Sequence, residues 1–355
     1  MFTNGRMIAP LLKRSTALLS GLLLAGMLAA CGSNGANGAN GANANNASQS
    51  ASAAASPEAA PQTDASPAAS EAAGATRVVS TVMGDVTVPA EPKRIAGMLY
   101  VFADHLLALG IEPMAMVTYN DLGFPSYLAD GMPDTIAVGS GEAPNLEKLL
   151  EAKPDLILAS KTMNEAGYDQ LSKIAPTILF DNENEDDWQR FRDTAAILGL
   201  EAKADEIKAQ YDAKVAKARD ELAKVAPGET VAYMRVQDKQ LQLIQPSDNF
   251  TLFGALGLTP ASVEGIDFKG SWNVAISEEL LPELNPDRLF IILRPGQDNK
   301  EALDHIMDTP IWKSLKAVQN DRVYIGDANL WFAGFGPIGL GKVIDEITGA
   351  FGISS

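Results

Sequence analysis

Cysteine occurs once and histidine twice in this sequence, and each scarcity excludes chemistry. A lone Cys31 cannot form an intramolecular disulfide, and two histidines, His105 and His305, do not make a converging ligand set for a free metal ion. Both histidines lie in helical patterns and are read as surface or satisfied core residues. Also missing are a Gly-x-Ser-x-Gly elbow, a phosphate-cradling P-loop and a His-Glu-x-x-His site, so an enzyme on two α/β lobes is only the alternative reading. Positive charge is in short supply too. The formal net charge is -17, which argues against nucleic acid and against an anionic membrane surface as partners.

The first thirty residues contain Arg6, Lys13 and Arg14, no acid, and an apolar run from Ala17 to Ala30. That run is short for a membrane span and has the layout of a signal peptide, expected over 1–30. It ends Leu28-Ala29-Ala30-Cys31-Gly32, which resembles the bacterial lipobox, so Cys31 is the expected lipidation site and would hold the chain at the outer face of the cell membrane. Gly-Ala-Asn repeats and then an Ala/Ser/Pro/Gln stretch follow. With almost no large apolar residues, 31–76 is expected to be a disordered tether.

From Arg77 onward, short β-rich runs alternate with helical patterns, the pattern of α/β lobes with largely parallel sheets. Strands are expected over Arg94 to Leu99, Pro113 to Thr118, Thr135 to Val138, Leu156 to Ala159 and Thr177 to Phe180. In the second half they are Thr230 to Val236, Leu241 to Ile244, Leu289 to Leu293 and Val323 to Ile325. Between the halves, Ile207, Tyr211, Val215, Ala218, Leu222 and Val225 recur at spacings of three and four. These predict one long helix over about Glu201 to Val225, its lysines free to face water, stopped by Pro227-Gly228. The expected plan is an N-terminal lobe over 77–200, a rigid connecting helix over 201–226, a C-terminal lobe over 227–355 and a ligand cleft between two Rossmann-like lobes.

An internal echo supports two lobes. The segment from Glu147 through Pro154-Asp155 to Leu158 recurs, with changes, from Glu279 through Pro286-Asp287 to Phe290. Each reads as a short helix, a Pro-Asp turn and a strand.

Val86-Thr87-Val88-Pro89 with Pro92-Lys93-Arg94-Ile95, Leu106 to Ile111, Pro144-Asn145-Leu146-Glu147 through Pro154-Asp155-Leu156-Ile157, and Gly336-Pro337-Ile338-Gly339 occur in an order and spacing that resembles the class III substrate-binding proteins of ABC importers. That group carries iron-siderophores, haem and cobalamin, and the nearest resemblance is to iron-siderophore binders of Gram-positive bacteria. The resemblance implies a monomeric, non-enzymatic receptor with a ferric siderophore as ligand, no resident cofactor, and an ABC permease as partner. It assigns permease docking to Glu147 and Glu279, with Glu278 in reserve; on residues alone both are better read as first-turn helix acids, which suit the macrodipole.

Ligands of open α/β sheets sit beyond the carboxyl ends of the strands. The candidates there are Tyr119 and Asn120, Lys161, Arg235, Arg294 and the Trp331-Phe332 pair, with Tyr100, Tyr127 and Trp272 as weaker aromatic choices. Cations with aromatic faces suit a large anionic chelate. Lys161 could equally be a solvated lysine and Arg294 the partner of a surface acid. Haem, the alternative ligand, would need an axial donor such as Met98, Tyr100 or Tyr119.

Overall fold

The computed structural model describes residues 75–119, 123–181, 186–248 and 250–353. The expected signal peptide, Cys31 and nearly all of the expected tether lie outside the described residues, as does Asn120. The described residues belong to one compact unit.

The described chain opens with an antiparallel hairpin, β1 (Thr76–Thr81) and β2 (Gly84–Pro89), the first strand beginning one residue ahead of Arg77. The N-terminal sheet follows: β3 (Ile95–Gly97), β4 (Ala115–Thr118), β5 (Ile136–Ser140), β6 (Leu156–Ser160) and β7 (Thr177–Phe180), in the order β5-β4-β3-β6-β7. Every pairing in it is parallel. Its central strands are unbroken apolar runs because both faces are covered, by one cluster around Phe102, Leu106 and Leu158 and another around Leu149, Ile157 and Leu179. The covering helices are α1 (Val101–Ala108), α2 (Leu146–Ala152), α3 (Lys161–Asn164), α4 (Tyr168–Ser172) and α5 (Asp187–Leu198).

The C-terminal sheet contains β8 (Thr230–Gln237), β9 (Gln240–Ile244), β10 (Thr259–Pro260), β11 (Asn273–Ala275), β12 (Arg288–Leu293) and β13 (Val323–Gly326). Its order is β11-β9-β8-β12-β13, with β10 also on β8. The expectation of largely parallel pairing holds here too, with one local departure. β8, β10, β12 and β13 pair in parallel, but β9 and β11 run antiparallel. The cause is a two-residue turn, Asp238 and Lys239, with φ of 53° and 62°. Two positive values in succession twist the chain straight back into a hairpin. The helices of this lobe are α7 (Leu281–Leu284), α8 (Gln297–Asp308), α9 (Pro310–Lys313), α10 (Lys316–Gln319), α11 (Ala328–Ala333) and α12 (Pro337–Ala350).

The sequence echo corresponds to a repeated piece of structure. Asn145 caps α2 by accepting from the Lys148 amide at 2.9 Å, and Ser277 stands at the matching cap of the second copy. Each short helix ends on a left-handed residue, Lys153 (φ 49°) or Asn285 (φ 31°), just before Pro-Asp. The aspartates then pin the first strand of each lobe. Asp155 accepts from the Lys93 and Arg94 amides at 2.8 and 2.9 Å, while Asp287 accepts from the Thr230 amide and hydroxyl, both at 2.9 Å.

Between the lobes runs α6, Glu201–Val225, over the span its periodicity predicts. Its buried face differs at two places: Ala204 is buried, whereas Val225 is 50 % exposed. Nor do the lysines all face water. Lys203 donates to the Leu109 carbonyl at 2.7 Å, and Lys214 pairs with Asp345 of α12 at 2.6 Å. The helix is thus tied near one end to the N-terminal lobe and further along to the C-terminal one. Among the described residues no helix is long and apolar enough to cross a membrane.

Candidate functional site

The carboxyl ends of the parallel strands present the candidate residues, and their surroundings sort them. Arg235 lies on β8 and is only 7 % exposed. Its Nε donates to Gln242 Oε1 at 2.7 Å, a directly cross-strand partner set by the two-residue turn. The guanidinium carbon stands 3.8 Å from the centre of the Trp272 ring and 5.9 Å from that of Phe332. Cation–π attraction at such distances holds the charge where burial alone would disfavour it. Burial and the neighbouring Arg294 guanidinium lower the pKa of Arg235, while Tyr233, Asp238 and Tyr119 of the opposite lobe act in the other direction. The N-terminal lobe's Tyr119 is therefore near enough to bias the charge of Arg235.

Tyr119 packs edge to face on Tyr100, ring centres 4.9 Å apart. Burial, and after it Tyr119, push the Tyr100 pKa up to about 12. Arg294 is half-buried after β12, with Nη1 3.4 Å from Gln237 Oε1. Lys161 begins α3 at the end of β6, and Asp181, just past β7, pairs with it at 2.9 Å. Their side chains are 32 % and 36 % exposed, so Lys161 is a neutralised rather than an isolated cation.

One predicted site residue moves out of the cleft. Trp331 is a core residue, 7 % exposed, its ring 5.4 Å from Tyr233 and 5.9 Å from Phe290, its Nε1 donating to Glu346 at 2.6 Å. The pair lies on α11, and on that helix Phe332, not Trp331, faces Arg235. Tyr127 also serves elsewhere: its hydroxyl donates to the Ala333 carbonyl at 3.1 Å. Gln242 was missed at the sequence level, although a two-residue turn at 238–239 places it opposite Arg235.

A hollow of about 840 Å³ lies beside α6 rather than at this cluster, between Trp188, Tyr211 and Phe335. Its charges are committed: Lys208 pairs with Asp212 at 2.6 Å, and Arg219 donates to the Ala255 carbonyl at 2.9 Å. Among the described residues no group of three or more His, Cys, Asp or Glu could hold a metal ion. Met98 and His105 are fully buried and His305 is exposed on α8, so none of them offers an axial donor in the cleft.

Glu147 and Glu279 are both exposed and both lie two residues past their caps, Asn145 and Ser277. Glu278 does not share that register. The Glu279 carboxylate is held below the usual range by its own backbone amide and the Ser277 hydroxyl.

Residues 103–330 match the model of a family described as periplasmic binding protein. The chain is 31 % identical over 264 residues to the Fe(3+)-citrate-binding protein YfmC of Bacillus subtilis, covering 72 % of this chain and 80 % of that one. It is 29 % identical to the iron(3+)-hydroxamate-binding protein YxeB of the same organism, over 77 % and 84 %. Among solved structures, Staphylococcus aureus SirA complexed with staphyloferrin B superposes with a TM-score of 0.65 at 27 % identity, covering 79 % of this chain and 99 % of that one. With two α/β lobes, a single long connecting helix and a family model matched over 103–330, this chain belongs to the periplasmic binding protein family of non-enzymatic, solute-binding proteins.

Proposed function

We propose that this protein is the lipid-anchored receptor of an ABC importer, which captures a ferric siderophore outside the cell membrane and presents it to the permease. The observation that carries the ligand class is Arg235, buried between Trp272 and Phe332 with Tyr119 opposite. A guanidinium held this way recognises an anionic, flat or propeller-shaped ligand without having to ligate metal. A siderophore already fills the octahedral sphere of ferric iron with its own oxygens, so the receptor reads charge and shape. The relatives named for Fe(3+)-citrate and iron(3+)-hydroxamate, and the staphyloferrin B complex, support the same reading. Arg235 and Arg294 favour a carboxylate-bearing or catecholate chelate over a neutral trihydroxamate.

Delivery is assigned to Glu147 and Glu279, one exposed carboxylate per lobe, each in the same register of the same repeated unit. Two fixed charges on a rigid body give a permease register as well as steering. The anchor is assigned to Cys31 behind its signal peptide. Changing Cys31 to serine should release the chain from membranes into the soluble fraction.

The deciding experiment is titration calorimetry of the full chain against ferric citrate, a ferric trihydroxamate, a ferric catecholate, their iron-free forms and haem. Saturable sub-micromolar binding of one anionic ferric class is the expected result. Haem binding alone, or no heat from any ferric chelate, would overturn the reading.

A further inference from the structure

The Gly336-Pro337-Ile338-Gly339 motif does not touch the ligand cluster described above, yet it lies at a junction of the lobes. Helix α12 begins there with Gly336 at its cap, which has no side chain to satisfy the first free amides. The missing acceptor comes from the other lobe. Asp104 of α1, fully buried, accepts from the Ile338 amide through Oδ1 and from the Gly339 amide through Oδ2, both at 2.8 Å. Any side chain at 336 would collide with the Asp104 carboxylate, and any at 339 with the backbone of Gly334. The two glycines are what this approach demands.

The contact is part of a larger grip. Ser126 donates to Asp327, the cap of α11, at 3.0 Å, and Tyr127 donates to Ala333 at the last turn of that helix. The N-terminal lobe therefore holds α11 at both ends and α12 at its start. Phe332, which faces Arg235, rides on α11. Burial raises the Asp104 pKa to about 6, while the two amides and the Tyr127 hydroxyl beside it favour the anion. Among the described residues no basic side chain forms a salt bridge with it. A carboxylate kept in the interior without a counter-ion is an expensive way to gain stability, and its known use is to specify a geometry.

We propose that Asp104, supported by Tyr127, is a positioning residue: by capping α12 from the opposite lobe it sets the angle between the lobes and so the spacing of Tyr119 from Arg235 and Phe332. The proposal rests on the reading of that cleft as the ligand site. It gives the Gly-Pro-Ile-Gly motif its work.

The test uses the full chain with Cys31→Ser and spin labels at Lys173→Cys and Gln319→Cys, exposed positions in opposite lobes. The parent should show one narrow inter-label distance. Asp104→Asn, which turns one acceptor into a donor facing an amide, should broaden and shift it. The same change should weaken binding of ferric citrate about tenfold per folded molecule, the scale expected for orphaning a buried amide. Tyr127→Phe should move both readouts the same way by less. A merely structural role would lower the folded fraction and leave the distance and the affinity of folded molecules alone; that result overturns the proposal. Should Asp104→Asn not fold, Tyr127→Phe decides alone, an unchanged distance sinking the idea. If the parent binds no ferric citrate, the functional reading is what suffers, and the distance still judges the clasp.

Discussion

The two lobes are built from one unit and have grown apart at their edges. Both contain a capped helix, a left-handed stop, a Pro-Asp turn and a strand, and both pin their first strand with the aspartate of that turn. The N-terminal lobe keeps a wholly parallel sheet and offers the cleft its tyrosines. In the C-terminal lobe the Asp238-Lys239 turn folds β9 back on β8, and β11 follows on the outside. That hairpin is what brings Gln242 opposite Arg235, and Trp272 enters from the residue before β11. The shared unit fixes a frame, and the residues proposed to choose a ligand gather where the copies differ.

If the frames are equivalent for docking, Glu147→Ala with Glu279→Ala should reduce iron uptake to background while calorimetric affinity stays within about twofold, because both carboxylates are exposed and stand apart from the cation–aromatic cluster. An equal loss of affinity would break that assignment. The ligand-choosing residues should be unequal. Arg235→Gln should weaken chelate binding about a hundredfold, as removal of a buried, oriented charge does. Lys161→Gln, already neutralised by Asp181, should change it by only about threefold. Comparable losses would mean that the N-terminal lobe contributes charge after all.

The two pins offer a finer comparison. Asp155→Ala and Asp287→Ala should each lower unfolding free energy in urea by about 2 kcal/mol, since each orphans two donors. The Thr230 amide lowers the Asp287 pKa, so its contribution is present above the ordinary carboxylate value and is lost as pH falls through the folded one. The deficit of Asp287→Ala should accordingly be smaller at pH 3 than at pH 7.

The smallest effect concerns α1, where two buried neighbours titrate in opposite senses. Burial lowers His105 to about 3 and raises Asp104 to about 6. Below pH 6.5 the unfolded chain takes up a histidine proton that the fold refuses, which destabilises the fold. Between about 6 and 4 the fold keeps an aspartate proton that the unfolded chain releases, which stabilises it. The two nearly cancel in that window. His105→Gln should remove the first and leave stability rising by about 1 kcal/mol as pH falls from 6 to 5, measured by urea unfolding.

Much of this plan is legible in the residues. Strands such as Leu156 to Ala159 and Thr177 to Phe180 are apolar runs between turn residues, and α6 is marked by its spacing and by the Pro227-Gly228 stop. The repeat is visible because Pro-Asp turns and caps are local chemistry. What stays hidden depends on pairing at a distance. The β1–β2 hairpin is mostly exposed and commits only Val88 fully to the core, and β10 and β11 are too short to carry a period. Trp331 and Phe332 are adjacent, and on a helix adjacent side chains diverge by about 100°. Which one meets Arg235 depends on where α11 sits, which no local pattern records. Lys161 likewise reads as an open cation until Asp181, twenty residues on, is placed beside it.

The stacking of Trp272 on Arg235 has an optical consequence. Trp272 is 46 % exposed, while Trp312 and Trp331 are 2 % and 7 % exposed. Its emission should therefore lie at the red edge of the protein's spectrum, apart from that of the buried indoles. A ferric chelate settling on the guanidinium must shed water from that ring and absorb its excitation, so the red edge should dim first and the remaining spectrum shift to the blue.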